Sequence, residues 1–521
     1  MSKICLCLTG KTIKDNLQLI ERYRKYIDIA ELRVDFLTTE EKFYIRRFPE
    51  LAGLPVILTV RRKSDGGLYD RGESSRIILL SNALAFAKQD KRCNFAYVDL
   101  EDDLEIPSLE EVARAFGTRI IRSYHNLTGT DEDLLSRFNS LYHVGDEIAK
   151  VAVTANNLDD VKKVFDTSYQ LKGKEKIIIA MGDAGLCTRV LSEKLGSAIT
   201  YTSAKNDKEF PIAASGQVDP IELCGFYRFR SIDKETAVYG ISGYPLTVTS
   251  SPEFFNSVFK RTKRNAVYLR FPSASIKSFI EAARKINIQG ASVTIPHKES
   301  LLEYLYDYSD SVEKIGACNT IFNKEGKFLG FNTDAIGFSD SLLNFINKKT
   351  LKGYRVTVIG AGGASRAVVS ELARLNARVL IINRNIIKAA ELAKKYNFKS
   401  AGIDIDGIKR IKKFSDIIIN TTSVGMETFG TPANRSDDKN ESNSKNDPIN
   451  QYKFSGREIV MDIIYKPPMT PLLKRASFSG CRVLNGFDML ERQAMAQYKI
   501  FFGEEYPPPT HTPRLKAKTD I

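Results

Sequence analysis

From its first residues the chain alternates two kinds of apolar pattern. Short β-branched runs of strand length fall at 4–8, 30–36, 56–59, 96–100, 119–123, 149–153, 176–180 and 198–202. Between most of them lie stretches whose apolar residues recur at helical spacing, as at 16–26, 75–89, 108–116 and 158–165. Eight strands alternating with helices predict a closed parallel (β/α)8 barrel, and in that fold the reactive groups project from the C-terminal strand ends. Around 225–236 the charge mixture rises and the rhythm resets. A new strand at 238–241 opens a second α/β unit, which runs to about residue 345 before a strand–glycine–helix pattern starts at Arg355.

The expected organisation is therefore a barrel over 1–228, a lobe over 236–346 and a doubly wound lobe over 347–484. A helix over 485–505 returns to the middle lobe, and a tail follows over 506–521. The stretch 427–450 is rich in Asn, Ser, Asp and Lys with few apolar residues, and predicts a disordered surface insertion. The longest apolar runs, 176–181 and 355–359, are far below the roughly 18 residues of a membrane helix, so no membrane partner is expected. The start of the chain lacks a signal-peptide core, which predicts a cytoplasmic location.

Composition narrows the chemistry. Seven cysteines without CxxC spacing argue against a disulfide framework, and with only four histidines no metal site is expected. His143 reads as an ordinary surface residue and His511 falls in the tail. The net charge of +14 comes from Lys and Arg spread along the whole length. That spread reads as solvated helix faces attracting small anions, and nothing matches a nucleic-acid-reading motif.

In the first unit, Lys150 stands in an otherwise apolar strand, and a lysine so placed can supply an imine as an electron sink. His125 follows the fifth strand, where an imidazole suits general acid–base work. Arg33 and Arg61 end the second and third strands and would converge on an anion at the barrel mouth. These residues lie in an ordered series: Glu31-Leu-Arg33-Val-Asp35, Thr59-Val-Arg61, Asp65-Gly-Gly, Asp99, His125, Lys150, Arg189 and Gly216-Gln217. In that series, residues 1–225 resemble the type I 3-dehydroquinate dehydratases. The resemblance implies an imine at Lys150 and proton transfer by His125. It implies substrate binding by Arg61 and Arg189, with Glu31, Arg33 and Gln217 completing the pocket. Asp65 stands where that family usually has Glu beside its histidine, and Ala213-Ala-Ser-Gly-Gln217 departs from the usual Ser-Ala-Pro-Gly-Gln.

In the second unit, Gly360-Ala361-Gly362-Gly363-Ala364 follows an apolar strand and opens a helix, the setting in which backbone N–H groups receive a diphosphate. About 20 residues on, where a Rossmann fold reads the ribose, stand Asn383 and Arg384, then Lys388. Positive charge there favours NADP over NAD. The preceding lobe carries Ser292-Val-Thr294-Ile-Pro-His297-Lys298, Gly316-Ala-Cys-Asn319 and Asn332-Thr-Asp334, so that Lys298 and Asp334 form an obvious proton-transfer pair.

Residues 238–503 resemble shikimate dehydrogenases, with two lobes, one of them Rossmann-like. This resemblance implies Lys298 as acid–base and Thr249 and Ser251 on the shikimate carboxylate. It implies contacts from Thr294, Asn319, Asp334, Tyr465 and Gln493, and a cofactor site that includes Thr422 and Gly486. Val248 and Ser292 depart from that family's His and Asn. Together the two resemblances imply consecutive steps of the shikimate pathway: 3-dehydroquinate to 3-dehydroshikimate, then to shikimate with NADPH, in a monomer or homodimer. Two other readings stay open, a catabolic quinate/shikimate dehydrogenase and a quinate-sensing regulator without activity.

Overall fold

The computed structural model describes residues 1–85, 88–142, 146–246, 249–426 and 446–508. His143, Val248, most of the 427–450 insertion and the tail with His511 lie outside the described residues. The chain divides into two compact units, Met1–Ile241 with Phe255–Ile288, and Ser242–Phe254 with Gln289–Ile521.

The first unit is built on eight parallel strands, β1 (Lys3–Leu8), β2 (Ile29–Arg33), β3 (Val56–Thr59), β4 (Tyr97–Glu101), β5 (Arg119–Asn126), β6 (Ile148–Thr154), β7 (Lys176–Met181) and β8 (Ile199–Thr202). They pair in the order β7-β6-β5-β4-β3-β2-β1-β8, and a bridge between Lys176 and Ser197 draws the ends together. The period-two geometry of a strand explains what fills the interior. Ile29, Ile57, Tyr97, Ile121, Ile148, Ile177 and Ile199 point inward and pack as an apolar layer. Two residues further along several of the same strands, the inward positions become polar: Glu31, Thr59, Asp99, Ser123 and Lys150. The barrel is thus closed by hydrocarbon at one end and lined with buried charge towards the other.

Two barrel strand boundaries differ from expectation by more than one residue. β2 stops at Arg33 because Val34–Phe36 turn as a 3-10 helix, which brings Asp35 back onto the Arg33 guanidinium. β5 extends through His125, which sits on the strand and pairs with Ala152 of β6, where it was expected beyond the strand end.

The first compact unit also holds most of β9 (Ala237–Gly243) and all of β10 (Ala266–Pro272), which lie outside the eight-stranded sheet. The reason is packing: the helix Ile276–Ile286 lies along the barrel helix Leu158–Gln170, where Ser278 Oγ donates to Asp159 at 2.8 Å and Lys285 pairs with Asp166.

In the second unit, β11 (Ile288–Val293), β13 (Thr320–Lys324) and β14 (Lys327–Phe331) pair antiparallel, and β12 (Asp307–Tyr308) adds parallel to β14. A separate sheet contains β15 (Arg355–Ile359), β16 (Arg378–Asn383), β17 (Lys399–Gly402), β18 (Ile417–Asn420), β19 (Ile459–Asp462) and β20 (Arg482–Leu484). Its order is β17-β16-β15-β18-β19-β20, with every pair parallel. This is the doubly wound order, with its switch point between β15 and β18. Both faces are covered, as a parallel sheet requires: Val356, Val358, Ile381 and Ile419 pack on one side, Leu380, Ile382, Ile418 and Val460 on the other.

The expected insertion is shorter at its C-terminal end. Residues 446–450 are held in place, with Ile449 buried in the sheet's core and Asp447 bonded to Arg475 at 2.8 Å. Tyr506, expected in the tail, stacks on Phe254 with ring centroids 4.7 Å apart.

Candidate active sites

In the barrel, Glu31, Arg33, Arg61, Asp65, His125, Lys150, Arg189 and Gln217 all line one cavity of about 340 Å³. The charges in it are paired unequally. Arg33 is clasped by Asp35 through two bonds of 2.9 and 2.7 Å. Arg61 donates to Asp99 and to Glu101, each at 2.7 Å. Arg189 is as deeply buried, yet its terminal nitrogens meet only the carbonyls of Tyr201 and Ser215, both at 3.2 Å. Burial without a compensating carboxylate pushes its guanidinium down to about 10. Arg189 is therefore the buried cation best disposed to take a substrate carboxylate.

Lys150 donates to Asp99 at 2.7 Å and lies 4.5 Å from the centre of the Tyr201 ring. Burial opposes a charged Asp99, but Arg61 and Lys150 override it and hold the carboxyl well below its usual range. His125 is driven the other way. Burial first, then the positive charges of Arg61 and Lys150, push its imidazole well below the ordinary value, so it stands neutral near pH 7. Among the described residues, three buried polar atoms on this cavity's wall have no hydrogen-bond partner: His125 Nδ1, Arg189 Nε and Tyr201 Oη.

Asp65 lines the cavity, but its carboxylate is taken by Arg62 and Ser64, each at 2.8 Å, and not by His125. The side chain is one methylene shorter than glutamate, and the neighbouring guanidinium is nearer. Sequence reading gave no role to Asp99, Tyr201 or Cys7. Cys7 donates to Glu31 at 3.0 Å and accepts from Gln217 at 3.2 Å. All three share the inward parity of their strands, and that signal would have found them.

In the second unit, Lys298 Nζ is hydrogen-bonded to Asp334 Oδ2. The other carboxylate oxygen accepts from Asn319 at 2.7 Å, and Asn319 also lies 3.4 Å from Gln493 Oε1. Asp334 opens the helix Asp334–Ile346, and Gln493 lies on the helix Phe487–Phe502. Gly337 lets these helices close up, since a Cβ there would stand 2.7 Å from the Met489 carbonyl and 2.9 Å from Gln493 Cβ. Thr249 and Ser251 lie together, and burial raises the Tyr465 phenol, whose hydroxyl bonds to Thr249 and Ser250. Thr294 abuts Gly243, where a Cβ would meet its methyl at 2.4 Å. Ser292 spends its hydroxyl on Gln497 at 2.8 Å.

The nucleotide loop fits a dinucleotide. Residues 360–364 leave β15 at the switch point and enter the helix Gly363–Arg374. Gly360 has φ +118°, a Cβ on Gly362 would face open space, and one on Gly363 would stand 2.9 Å from Lys298 Cβ. That last approach brings the loop directly against the proton-transfer pair. Asn383 ends β16, and Arg384 and Lys388 follow it, both exposed. Thr422 is anchored by Asn420 beyond β18, and Gly486 precedes the helix Phe487–Phe502 with no room for a side chain beside the Ile463 carbonyl.

The fold and the two sites define a barrel lyase followed by a nucleotide-dependent oxidoreductase. Comparison with known proteins agrees in both halves. A family model for type I 3-dehydroquinase matches residues 4–234, one for the shikimate dehydrogenase substrate binding domain matches 241–321, and one for shikimate/quinate 5-dehydrogenase matches 343–443. The chain is similar to the chloroplastic bifunctional 3-dehydroquinate dehydratase/shikimate dehydrogenase of Arabidopsis thaliana, 30% identical over 91% of this chain and 78% of that one. It is similar to the shikimate biosynthesis protein AroDE of Chlamydia pneumoniae, 26% identical over 96% and 95%. The NADP(+) shikimate dehydrogenase of Caldanaerobacter subterraneus is 36% identical and covers 52% of this chain and 94% of its own. The chain belongs to the family of bifunctional 3-dehydroquinate dehydratase/shikimate dehydrogenases. As a member it is a lyase and an NADP-dependent oxidoreductase of the shikimate pathway.

Proposed function

We propose that the barrel dehydrates 3-dehydroquinate to 3-dehydroshikimate and that the second unit reduces this ketone to shikimate. The observation that carries the reading is the barrel cavity itself, where an amine, a neutral imidazole and an unpaired guanidinium face one space. Arg189 takes the substrate carboxylate, and Arg61, Glu31, Arg33 and Gln217 hold the ring. The Lys150 ammonium gives up a proton to neutral His125, its Nζ attacks the ketone carbon, and two of the ammonium's protons pass by way of His125 to the carbonyl oxygen, which leaves as water with the protonated imine formed. His125 removes the proton next to that carbon, and the electron pair moves into the imine. The pair then returns to expel the β-hydroxyl, to which His125 delivers its proton, and water hydrolyses the imine.

In the second unit, residues 360–364 and the helix N-terminus would hold the diphosphate of NADPH, Asn383, Arg384 and Lys388 would hold its 2′-phosphate, and Thr422 and Gly486 would complete the cofactor site. The bound cofactor supplies the hydride. Lys298 gives the proton to the substrate oxygen, and Asp334, steadied by Asn319, aims the ammonium. Thr249, Ser251 and Tyr465 bind the shikimate carboxylate, and Thr294 and Gln493 its hydroxyls. A cytoplasmic location belongs to the same reading, supported by seven free cysteines. No helix among the described residues is long and apolar enough to cross a membrane. Neither the catabolic nor the regulatory reading gains support.

Purified protein supplied with 3-dehydroquinate and NADPH is expected to consume NADPH. Lys150→Ala should abolish this but leave 3-dehydroshikimate reduction intact, whereas Lys298→Ala should abolish both. Inactivity of the wild type on 3-dehydroquinate and on 3-dehydroshikimate would overturn the proposal.

A further inference from the structure

The lysines of the run Lys172-Gly-Lys174-Glu-Lys176 and two from later in the chain line a second place in the folded chain. A pocket of about 670 Å³ opens where the barrel's helices feed back into its strands, at the entry of β7 and β8, the end opposite Arg33 and Arg61. Lys172, Lys174, Lys176, Lys194 and Lys234 line it. Glu175 is the one carboxylate on its wall, and Arg119 engages it at 2.8 and 3.2 Å.

Two of the lysines are built in. Lys176 is the first residue of β7 and is 2% exposed. Its ammonium donates to the Leu171 carbonyl at 3.2 Å, and a Cβ on Gly196 would stand 3.5 Å from it. Lys194 donates to the carbonyls of Lys234 and Thr236, which holds the linker over the pocket's edge. No carboxylate lies within salt-bridge distance of either ammonium among the described residues. Burial lowers both amines below their ordinary value; Lys234 adds to the effect at Lys176, and the carboxylates of Glu235 and Asp233 oppose it at Lys194. Gly173, with φ +87° and open space around it, allows the tight turn that sets Lys172 and Lys174 on either side. Tyr169 adds an aromatic wall that is 41% exposed.

We propose that this pocket binds a small phosphorylated anion carrying at least two negative charges, at a site separate from both reaction centres. Lysines with no arginine among them suit a phosphate, which they bind as point charges, better than a planar carboxylate, which favours an arginine fork; the Lys174 ammonium, 3.4 Å from Asn139 Oδ1, turns from that partner to reach an occupant. The volume exceeds that of inorganic phosphate alone and falls in the range of metabolite pockets. An occupant would bridge the 172–176 loop, the Lys234 linker and the end of the helix Ile276–Ile286, all within the first compact unit.

The test is calorimetric titration of the full-length protein with inorganic pyrophosphate, at constant ionic strength and with saturating NADP+ to fill the nucleotide site. The expected result is saturable binding of one equivalent with Kd at or below about 1 mM, weakened by about tenfold or more in Lys172→Gln/Lys174→Gln and in Lys234→Gln. These side chains are exposed, so the variants test charge without disturbing packing. Lys176→Met should also abolish binding, and a circular dichroism melt establishes whether it folds. Absence of saturable binding, equal affinity in the exposed variants, or displacement of pyrophosphate by 3-dehydroquinate would each overturn the proposal.

Discussion

Lys150 and Arg61 share one carboxylate: Asp99 Oδ2 is 2.7 Å from Lys150 Nζ, and Asp99 Oδ1 is 2.7 Å from Arg61 Nη2. Ser123 adds a bond of 2.6 Å to Oδ1, so the carboxylate is fixed from several directions. Asp99 therefore sets where the nucleophilic amine stands. In Asp99→Asn, dehydratase kcat is expected to fall by about 100-fold, while reduction of 3-dehydroshikimate is unchanged. Borohydride trapping of the imine adduct, followed by mass spectrometry, should show its formation slowed in proportion. Wild-type trapping and turnover in Asp99→Asn would refute the role. Asp99→Ala also strips the counter-charge from two buried cations and should cost about 3 kcal/mol of stability by urea denaturation.

Arg189 presents the opposite case, a buried cation kept at the expense of the fold. Replacing it with methionine removes a desolvated charge of similar length. Stability is expected to hold or to rise by about 1 kcal/mol. KM for 3-dehydroquinate should rise by about 100-fold or more, since the carboxylate loses its partner. Steady-state kinetics and a thermal melt on one preparation check both halves. A variant with wild-type KM, or one strongly destabilised, would show that Arg189 is structural.

The neutral state of His125 has a pH signature. Its folded-state value is depressed below that of the unfolded chain, so between the two the unfolded chain carries the extra proton. Stability from this group is accordingly complete above about pH 6.5 and is lost as pH falls through the window below it. Urea midpoints at pH 5 and 7 should differ less in His125→Gln than in the wild type. The acid limb of the dehydratase kcat profile should likewise fall below about pH 6.5. An acid limb at or above pH 7 would mean that the imidazole is not shielded as described.

Much of this was legible because strand parity and βα alternation are local properties of the chain. The eight strand cores and the candidates Arg33, Arg61, His125 and Lys150 follow from them, whereas Glu31, Asp65, Arg189 and Gln217 came only with the resemblance to the dehydratase family. What periodicity does not carry is the choice among partners. Asp65 was expected beside His125, but Arg62 is three residues away and takes its carboxylate. Asp99 stood in the ordered series without a role until Lys150, 51 positions later, was folded against it. The compact unit that joins 255–288 to the barrel was not legible either: the packing of the helix Ile276–Ile286 on the helix Leu158–Gln170 is a long-range contact between two ordinary amphipathic helices. The lysine pocket was invisible because a charge spread in sequence says nothing about convergence in space.

Cofactor preference rests on residues that the fold leaves unengaged. Asn385 caps the helix Ile386–Lys395 by accepting from the Lys388 backbone N–H at 3.2 Å, and the Lys388 and Arg384 side chains are both exposed. The two positive charges stand just beyond β16, where a doubly wound sheet reads the ribose, and no acidic residue takes that place to bind a 2′-hydroxyl. Each charge–phosphate contact at such an exposed site contributes about 1 kcal/mol and is screened by salt. Arg384→Ala with Lys388→Ala is therefore expected to lower kcat/KM for NADPH by about 30-fold and to leave that for NADH nearly unchanged. The loss should appear mainly in KM, because the 2′-phosphate is remote from the hydride and binds equally in the ground and transition states. The wild-type preference itself should shrink between about 50 and about 500 mM NaCl, whereas the variant's should not. An equal loss with both cofactors would assign the two residues to the adenosine or diphosphate instead, and a preference insensitive to salt would place the phosphate contact on buried groups.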